Sequence, residues 1–149
     1  MAAIQSSIFG TFCIRLIGIW AIVHGILTCL GGIAKWTSPA YDVVKLIPGS
    51  PYTWGIILCV GGMFTLVASL LGVEYERIIL GRKITYFGLK NFGLWVIAAV
   101  SLFFAIGVIA VAFEPGSPVS FAAADRDLFI CAMSVMMTKA IEPIYEKTK

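Results

Sequence analysis

The stretch LIPGSPYTWGIILCVGGMFTLVASLLGV, residues 46–73, contains no Asp, Glu, Lys or Arg. Proline inside a helix breaks its hydrogen bonding but suits the entry turn, so Pro48 and Pro51 set a helix start near Tyr52. From there to residue 73, with Gly72 marking the end, the run is long enough at about 1.5 Å per residue to cross about 30 Å of hydrocarbon. Two more uncharged runs flank it, residues 16–34 and 91–113. These are the three strong membrane spans.

The composition agrees. Of 149 residues, 60% are hydrophobic and 13% charged, whereas soluble domains average about 25% charged residues. The mean hydropathy is +0.97. A net charge of +3 with dispersed basic residues offers no footprint for nucleic acid. Cys13, Cys29, Cys59 and Cys131 lie in apolar stretches without metal-ligand or disulfide-framework spacing, and read as small buried apolar residues. The first hydrophobic stretch is too long for a signal-peptide core and has no basic residue before Arg15, so it reads as a retained helix.

A fourth span is weaker. The uncharged run 128–138 is short, and a helix of adequate length must start near Ser120 and carry Asp125, Arg126 and Asp127 in its first turns. Four spans with both termini in the cytoplasm put eight basic residues inside (Arg15, Arg77, Arg82, Lys83, Lys90, Lys139, Lys147 and Lys149) and three outside (Lys35, Lys45 and Arg126). The excess of inside charge fits the rule for cytoplasmic loops. Trp36, Tyr41, Tyr52, Trp54, Tyr75, Tyr86 and Tyr145 fall near the span boundaries, where amphipathic rings favour the headgroup layer. The expected fold is therefore an all-α, single-domain four-helix bundle with spans at about 12–34, 52–73, 91–113 and 120–141.

The two halves look alike. RLIGIWAI (15–22) and KNFGLWVI (90–97) share a basic residue, a glycine, an aliphatic, a tryptophan and an isoleucine in register. PGSPYTW (48–54) and PGSPVSF (115–121) share an identical tetrapeptide followed by a hydroxyl and an aromatic residue. The order suggests a duplicated helical hairpin, 12–73 repeated as 88–141, with both copies pointing the same way.

Helices in lipid associate through close approach along small residues and through polar contacts. Gly18, Ala21, Gly25, Thr28 and Gly32 supply such a face on span one, Gly55, Cys59, Gly62, Ser69 and Gly72 on span two, and Ala98, Ser101, Ala105 and Ala112 on span three. On span four Asp127, Cys131, Ser134 and Thr138 share a more polar face. It either packs into the bundle or lines a polar path in an oligomer. His24, the single histidine, sits midway through span one. It is either a hydrogen-bonded packing residue or a functional intramembrane group.

Residues 74–90 alternate acids, bases and apolar residues, and are expected to form a short interfacial helix with Ile78, Ile79 and Leu80 against the bilayer. Arg77, Arg82 and Lys83 there either hold the loop inside or touch anionic lipid. No P-loop, GxSxG, HExxH or paired carboxylate is present, so no catalytic, cofactor or metal site is expected.

The first hairpin, with GIWAIVHG (18–25), WTSPAY (36–41) and PGSPYTWG (48–55), resembles small four-span membrane proteins encoded by phages of actinobacteria, some of which are holins. That resemblance implies a non-enzymatic protein that self-associates in the bacterial inner membrane and permeabilises it. The chain departs from familiar holins in lacking a second early start methionine and in the mixed charge of residues 142–149. RLIG (15–18) followed by His24 and Gly25 is similar to the DoxX family of four-helix membrane proteins, which implies a redox-associated subunit, with a haem or quinone absorption if His24 served it. The rival to self-association is an accessory subunit that docks on a larger membrane complex or excludes other phages.

Overall fold

The structure, a computed structural model, describes residues 2–32, 42, 45, 48–71, 76–79, 82–113 and 122–139. Four helices dominate it: α1 (Ala2–Gly31), α2 (Tyr52–Leu71), α3 (Tyr86–Ala112) and α4 (Ala122–Lys139). Three of them are long and apolar enough to cross a membrane, over Phe9–Gly31, Tyr52–Leu70 and Gly88–Ala112. The chain is thus of the integral membrane kind. Trp36, Tyr41, Tyr75, Tyr145, Gly72 and the second PGSP motif at 115–118 lie outside the described residues.

The segment expected to be an interfacial helix is a β-hairpin instead. Strands β1 (Glu76–Ile79) and β2 (Arg82–Thr85) pair antiparallel, with Ile79 opposite Arg82 and Glu76 opposite Thr85. The physical reason is local: Ile78, Ile79, Ile84 and Thr85 are β-branched, which favours the pleated backbone. In the sequence Gly81 separates the two β-branched runs, and glycine is a residue type that tight turns favour. Thr85 runs directly into α3 at Tyr86.

The entry to α2 is built by the proline motif. Thr53 donates its hydroxyl to the Pro48 carbonyl at 2.8 Å and its amide to the Gly49 carbonyl at 3.2 Å, while Gly55 donates to Pro51 at 3.1 Å. Gly49 has φ +77°, a left-handed backbone that costs glycine no steric penalty.

The helices pack in chain order, α1 on α2, α2 on α3 and α3 on α4, with α1 touching α4 far less. Cys13, Ile14, Ile17 and Ala21 of α1 join Leu94 and Ile97 of α3 and Met137 of α4 in the largest apolar cluster. Trp54 and Leu58 meet Val100 and Phe104 in a second, and Ala124 meets Val108 and Val111 in a third. The outer faces are also apolar: Leu30, Leu70, Phe113 and Phe129 are among the most exposed side chains. Hydrocarbon on both the inside and the outside is what a lipid solvent permits.

Candidate functional site

The candidate site is the set of seams between helices, because these hold nearly every residue singled out above. On α1 and α2 glycines recur every seven residues, Gly18 and Gly25 facing Gly62 and Gly55 of the antiparallel partner. A β-carbon on Gly25 would lie 2.6 Å from the Gly55 carbonyl oxygen, and one on Gly62 would lie 2.7 Å from that of Gly18. The backbones therefore touch. Each glycine also receives a side chain from the residue four places after the glycine opposite: Leu66 over Gly18, Cys59 over Gly25, Cys29 over Gly55 and Ile22 over Gly62.

The two cysteines make the arrangement locally two-fold. Cys29 Sγ donates to the Tyr52 carbonyl at 3.8 Å and Cys59 Sγ donates to the Ile22 carbonyl at 3.6 Å. Each acceptor stands three residues before the glycine that the thiol covers. All four cysteines are free, Cys13 buried and the other three half-buried.

Helix α2 turns a second glycine to its other neighbour. A β-carbon on Gly93 would lie 2.6 Å from the Gly61 carbonyl oxygen, and Thr65 covers Gly93 as Val96 covers Gly61. Trp54 closes one end of this seam against Phe104, with ring centroids 5.5 Å apart, and Phe64 closes the other against Phe92 at 5.4 Å. Gly61 and Gly62 are consecutive, so one dipeptide admits a helix on each side. The importance of Gly61 and Gly93 is not legible in the small-residue stripes of the sequence.

Gly32 has a different part. It lies past the end of α1 with φ +52° and donates its amide to the Cys29 carbonyl at 3.3 Å, so it ends the helix rather than packing it. His24 is half-buried, with its ring stacked on Trp20 at 5.0 Å and 7° between planes, and its carbonyl accepts the Thr28 hydroxyl at 2.8 Å.

On α4 the polar face is turned inward. Asp127, Ser134 and Thr138 are buried and Cys131 is half-buried, while Leu128, Phe129 and Met136 are exposed. Asp127 accepts three bonds of 3.2 Å from Arg126, whose own side chain stays largely exposed. Asp125 and Asp127 stand in the first two turns of α4, where the helix dipole favours negative charge.

Most buried hydroxyls bond back to their own helix: Thr65 to Gly61, Ser69 to Leu66 and Thr138 to Val135, at 2.9, 2.7 and 2.7 Å. Ser101 Oγ and Ser134 Oγ are buried without a hydrogen-bond partner.

Two cations reach across seams to helix ends. Arg15 Nη2 donates to the Ser69 carbonyl in the last turn of α2 at 3.2 Å, and Lys90 Nζ donates to the Met137 carbonyl in the last turn of α4 at 3.5 Å. Carbonyls there have no partner within the helix, and positive charge is favoured. Lys90 is fully buried. Among the described residues no three His, Cys, Asp or Glu side chains are gathered as a metal site would require.

No protein-family model, curated protein or solved structure matches the chain.

Proposed function

We propose that this is a non-enzymatic protein of the bacterial inner membrane that acts by associating within the bilayer, with α4 as a fourth span and both termini cytoplasmic. The observation that carries this reading is the polarity of α4. Phe129 is 63% and Met136 60% exposed while Asp127 is 2% and Ser134 0% exposed, the reverse of a helix whose outer face meets water. Its 18 residues reach about 27 Å, close to the thickness of the hydrocarbon core.

The duplicated-hairpin reading draws support from the two cations. Arg15 and Lys90 open the two matching motifs, and each binds a carbonyl in the last turn of the helix that follows its own.

In this proposal α4 is the helix that changes partners. It is held mainly by α3, whereas α1, α2 and α3 interlock through glycine contacts. Assembly of several copies turns the stripe of Asp127, Cys131, Ser134 and Thr138 from α3 to a shared aqueous lumen, a holin-like permeabilisation. The test is the membrane potential of bacteria after controlled induction, followed with a voltage-sensitive dye. Collapse is expected with the natural chain and not with Asp127→Leu/Ser134→Leu. A Val108→Cys/Ala124→Cys pair, joining residues of one apolar cluster, should block collapse until reduced.

Burial of the same stripe inside a single protomer favours a second reading, an accessory subunit that docks on a larger membrane complex. An intact potential at high expression, with a partner recovered by co-purification, would establish it.

A further inference from the structure

The α3–α4 seam has a definite register. Val108 and Ala124 share one apolar cluster, and Leu94 and Ile97 share another with Met137. Antiparallel helices that set Val108 level with Ala124 bring Ser101 level with Cys131 and Ser134 level with Ala98. The same register sets residue 137 level with residue 95, between Leu94 and Ile97, so the two clusters agree. Ser101 lies seven residues from both Leu94 and Val108 and shares their face, as Ser134 shares that of Asp127 on α4. Buried Ala98 and Ala105 stand on either side of Ser101 along α3.

Along this seam a row of buried hydroxyls joins two buried ionisable side chains. Asp127 is 2% exposed at one end and Lys90 is fully buried at the other, where it donates to Met137 beside Thr138. Thr138, like Thr65 and Ser69, gives its hydroxyl proton to its own helix. Ser101 and Ser134 do not, and their Oγ atoms have no partner. Ser101 stands midway through the Gly88–Ala112 span, the depth at which an unpaired hydroxyl is least favourable. The spacing is regular as well. At about 1.5 Å per residue, the levels of Asp127, Ser101, Ser134 and Thr138 follow one another at about 6, 4.5 and 6 Å. A water making two hydrogen bonds of about 2.8 Å spans about 5.5 Å, so each step is about one water long.

We infer that the α3–α4 seam of a single protomer is a proton path, with the Ser101 and Ser134 hydroxyls as relays between Asp127 and Lys90. A proton taken up by the Asp127 carboxylate is handed inward through waters that enter the steps in transit. Each hydroxyl accepts one proton and gives up its own. The Lys90 ammonium releases a proton at the inner end and takes the one delivered, so one proton crosses and no charge is left behind. A hydroxyl without a fixed acceptor can turn between neighbours as a relay must, whereas one tied to its own helix cannot. Among the described residues, the other ionisable groups along the row are Arg126, bonded to Asp127, and Cys131, level with Ser101. The inference rests on α4 as a fourth span, part of the reading above, and not on α4 changing partners.

The test uses the full chain in phosphatidylcholine vesicles that enclose a pH-sensitive dye, so dilute that most vesicles hold one copy or none. A potassium diffusion potential, negative inside, drives protons inward. The natural chain should acidify the interior without admitting sodium ions. Ser101→Ala and Ser134→Ala should each slow acidification about tenfold, equivalent to about 1.4 kcal/mol of barrier, while Val60→Ala leaves it unchanged. The oxidised Val108→Cys/Ala124→Cys pair, which pins α4 to α3 and blocks assembly, should leave acidification intact. Acidification lost on that oxidation belongs to assembly, which overturns this inference and leaves permeabilisation standing. No acidification beyond that of protein-free vesicles, sodium entry alongside the protons, or a natural rate in Ser101→Ala also overturns it. Should the alanine variants not fold, the natural chain decides in heavy water, where relayed uptake should slow by more than the solvent viscosity explains. An unchanged rate there overturns the proposal.

Discussion

Gly25 and Gly55 face one another across the α1–α2 seam so closely that a β-carbon on Gly55 would lie 2.7 Å from the Gly25 carbonyl oxygen. Carbon contacts are optimal at about 3.5–4.0 Å, so any side chain there must push the helices apart by about 1 Å. Gly55→Ala is expected to destabilise the fold by about 1–3 kcal/mol, the usual cost of overpacking. Reversible unfolding in mixed micelles measures it, with Val60→Ala on the exposed face of α2 as the control, expected within about 0.5 kcal/mol.

The adjacent glycines of α2 should act separately. Gly62→Ala is expected to widen the α1–α2 distance and leave α2–α3 unchanged, and Gly61→Ala to do the opposite. Spin labels on exposed residues, Val23 with Ile56 and Met63 with Phe92, report the two distances. If both variants widen both seams, the two contacts are not independent.

Ser101 and Ser134 bury hydroxyls that bond to nothing. Removing such a group relieves a desolvation penalty of about 1–3 kcal/mol at the cost of a small cavity. Ser101→Ala and Ser134→Ala should therefore be neutral or stabilising in thermal unfolding, whereas Ser134→Leu overpacks the seam and lowers the midpoint. A loss of more than about 1 kcal/mol in Ser134→Ala would mean that the hydroxyl has a partner after all.

Lys90 and Arg15 make similar bonds from different surroundings. Lys90 is fully buried beside the largest apolar cluster, so Lys90→Ala should cost more stability than Arg15→Ala, about 2–4 kcal/mol against about 1. Lys90→Met, which keeps the volume, should recover only the packing part of the loss, because the Met137 carbonyl is still left without its donor. The three variants can be ranked by thermal midpoint in one detergent.

How much of this was legible in the sequence follows from the range of the forces involved. Uncharged runs reveal helices because lipid excludes charge over about 20 residues, and Pro48 and Pro51 mark the α2 entry through purely local geometry. The hairpin at 76–85 escaped because four-residue strands give too few positions to tell a period of two from one of 3.6. Its signal was the run of β-branched residues Ile78, Ile79, Ile84 and Thr85 on either side of Gly81 in the sequence. On α4 the spacing of Asp127, Cys131, Ser134 and Thr138 shows that they share a face, but only packing shows that Asp127, Ser134 and Thr138 are buried. Gly61 stands next to Gly62 in sequence, and nothing local says that it serves another helix. The open seam between α1 and α4 is a property of two distant segments and leaves no mark in either.

The paired glycines of α2 bear on how the chain is made. Helix α2 is synthesised after the face that Gly62 needs and before the face that Gly61 needs. A nascent chain halted between Leu71 and Tyr86 can complete its first backbone contact at once, yet it leaves Gly61 and Thr65 bare to lipid until α3 arrives. For that interval the half-built protein offers a close-packing groove to any other small-faced helix in the membrane, which makes translation through residue 93 the step at which a wrong partner can be captured.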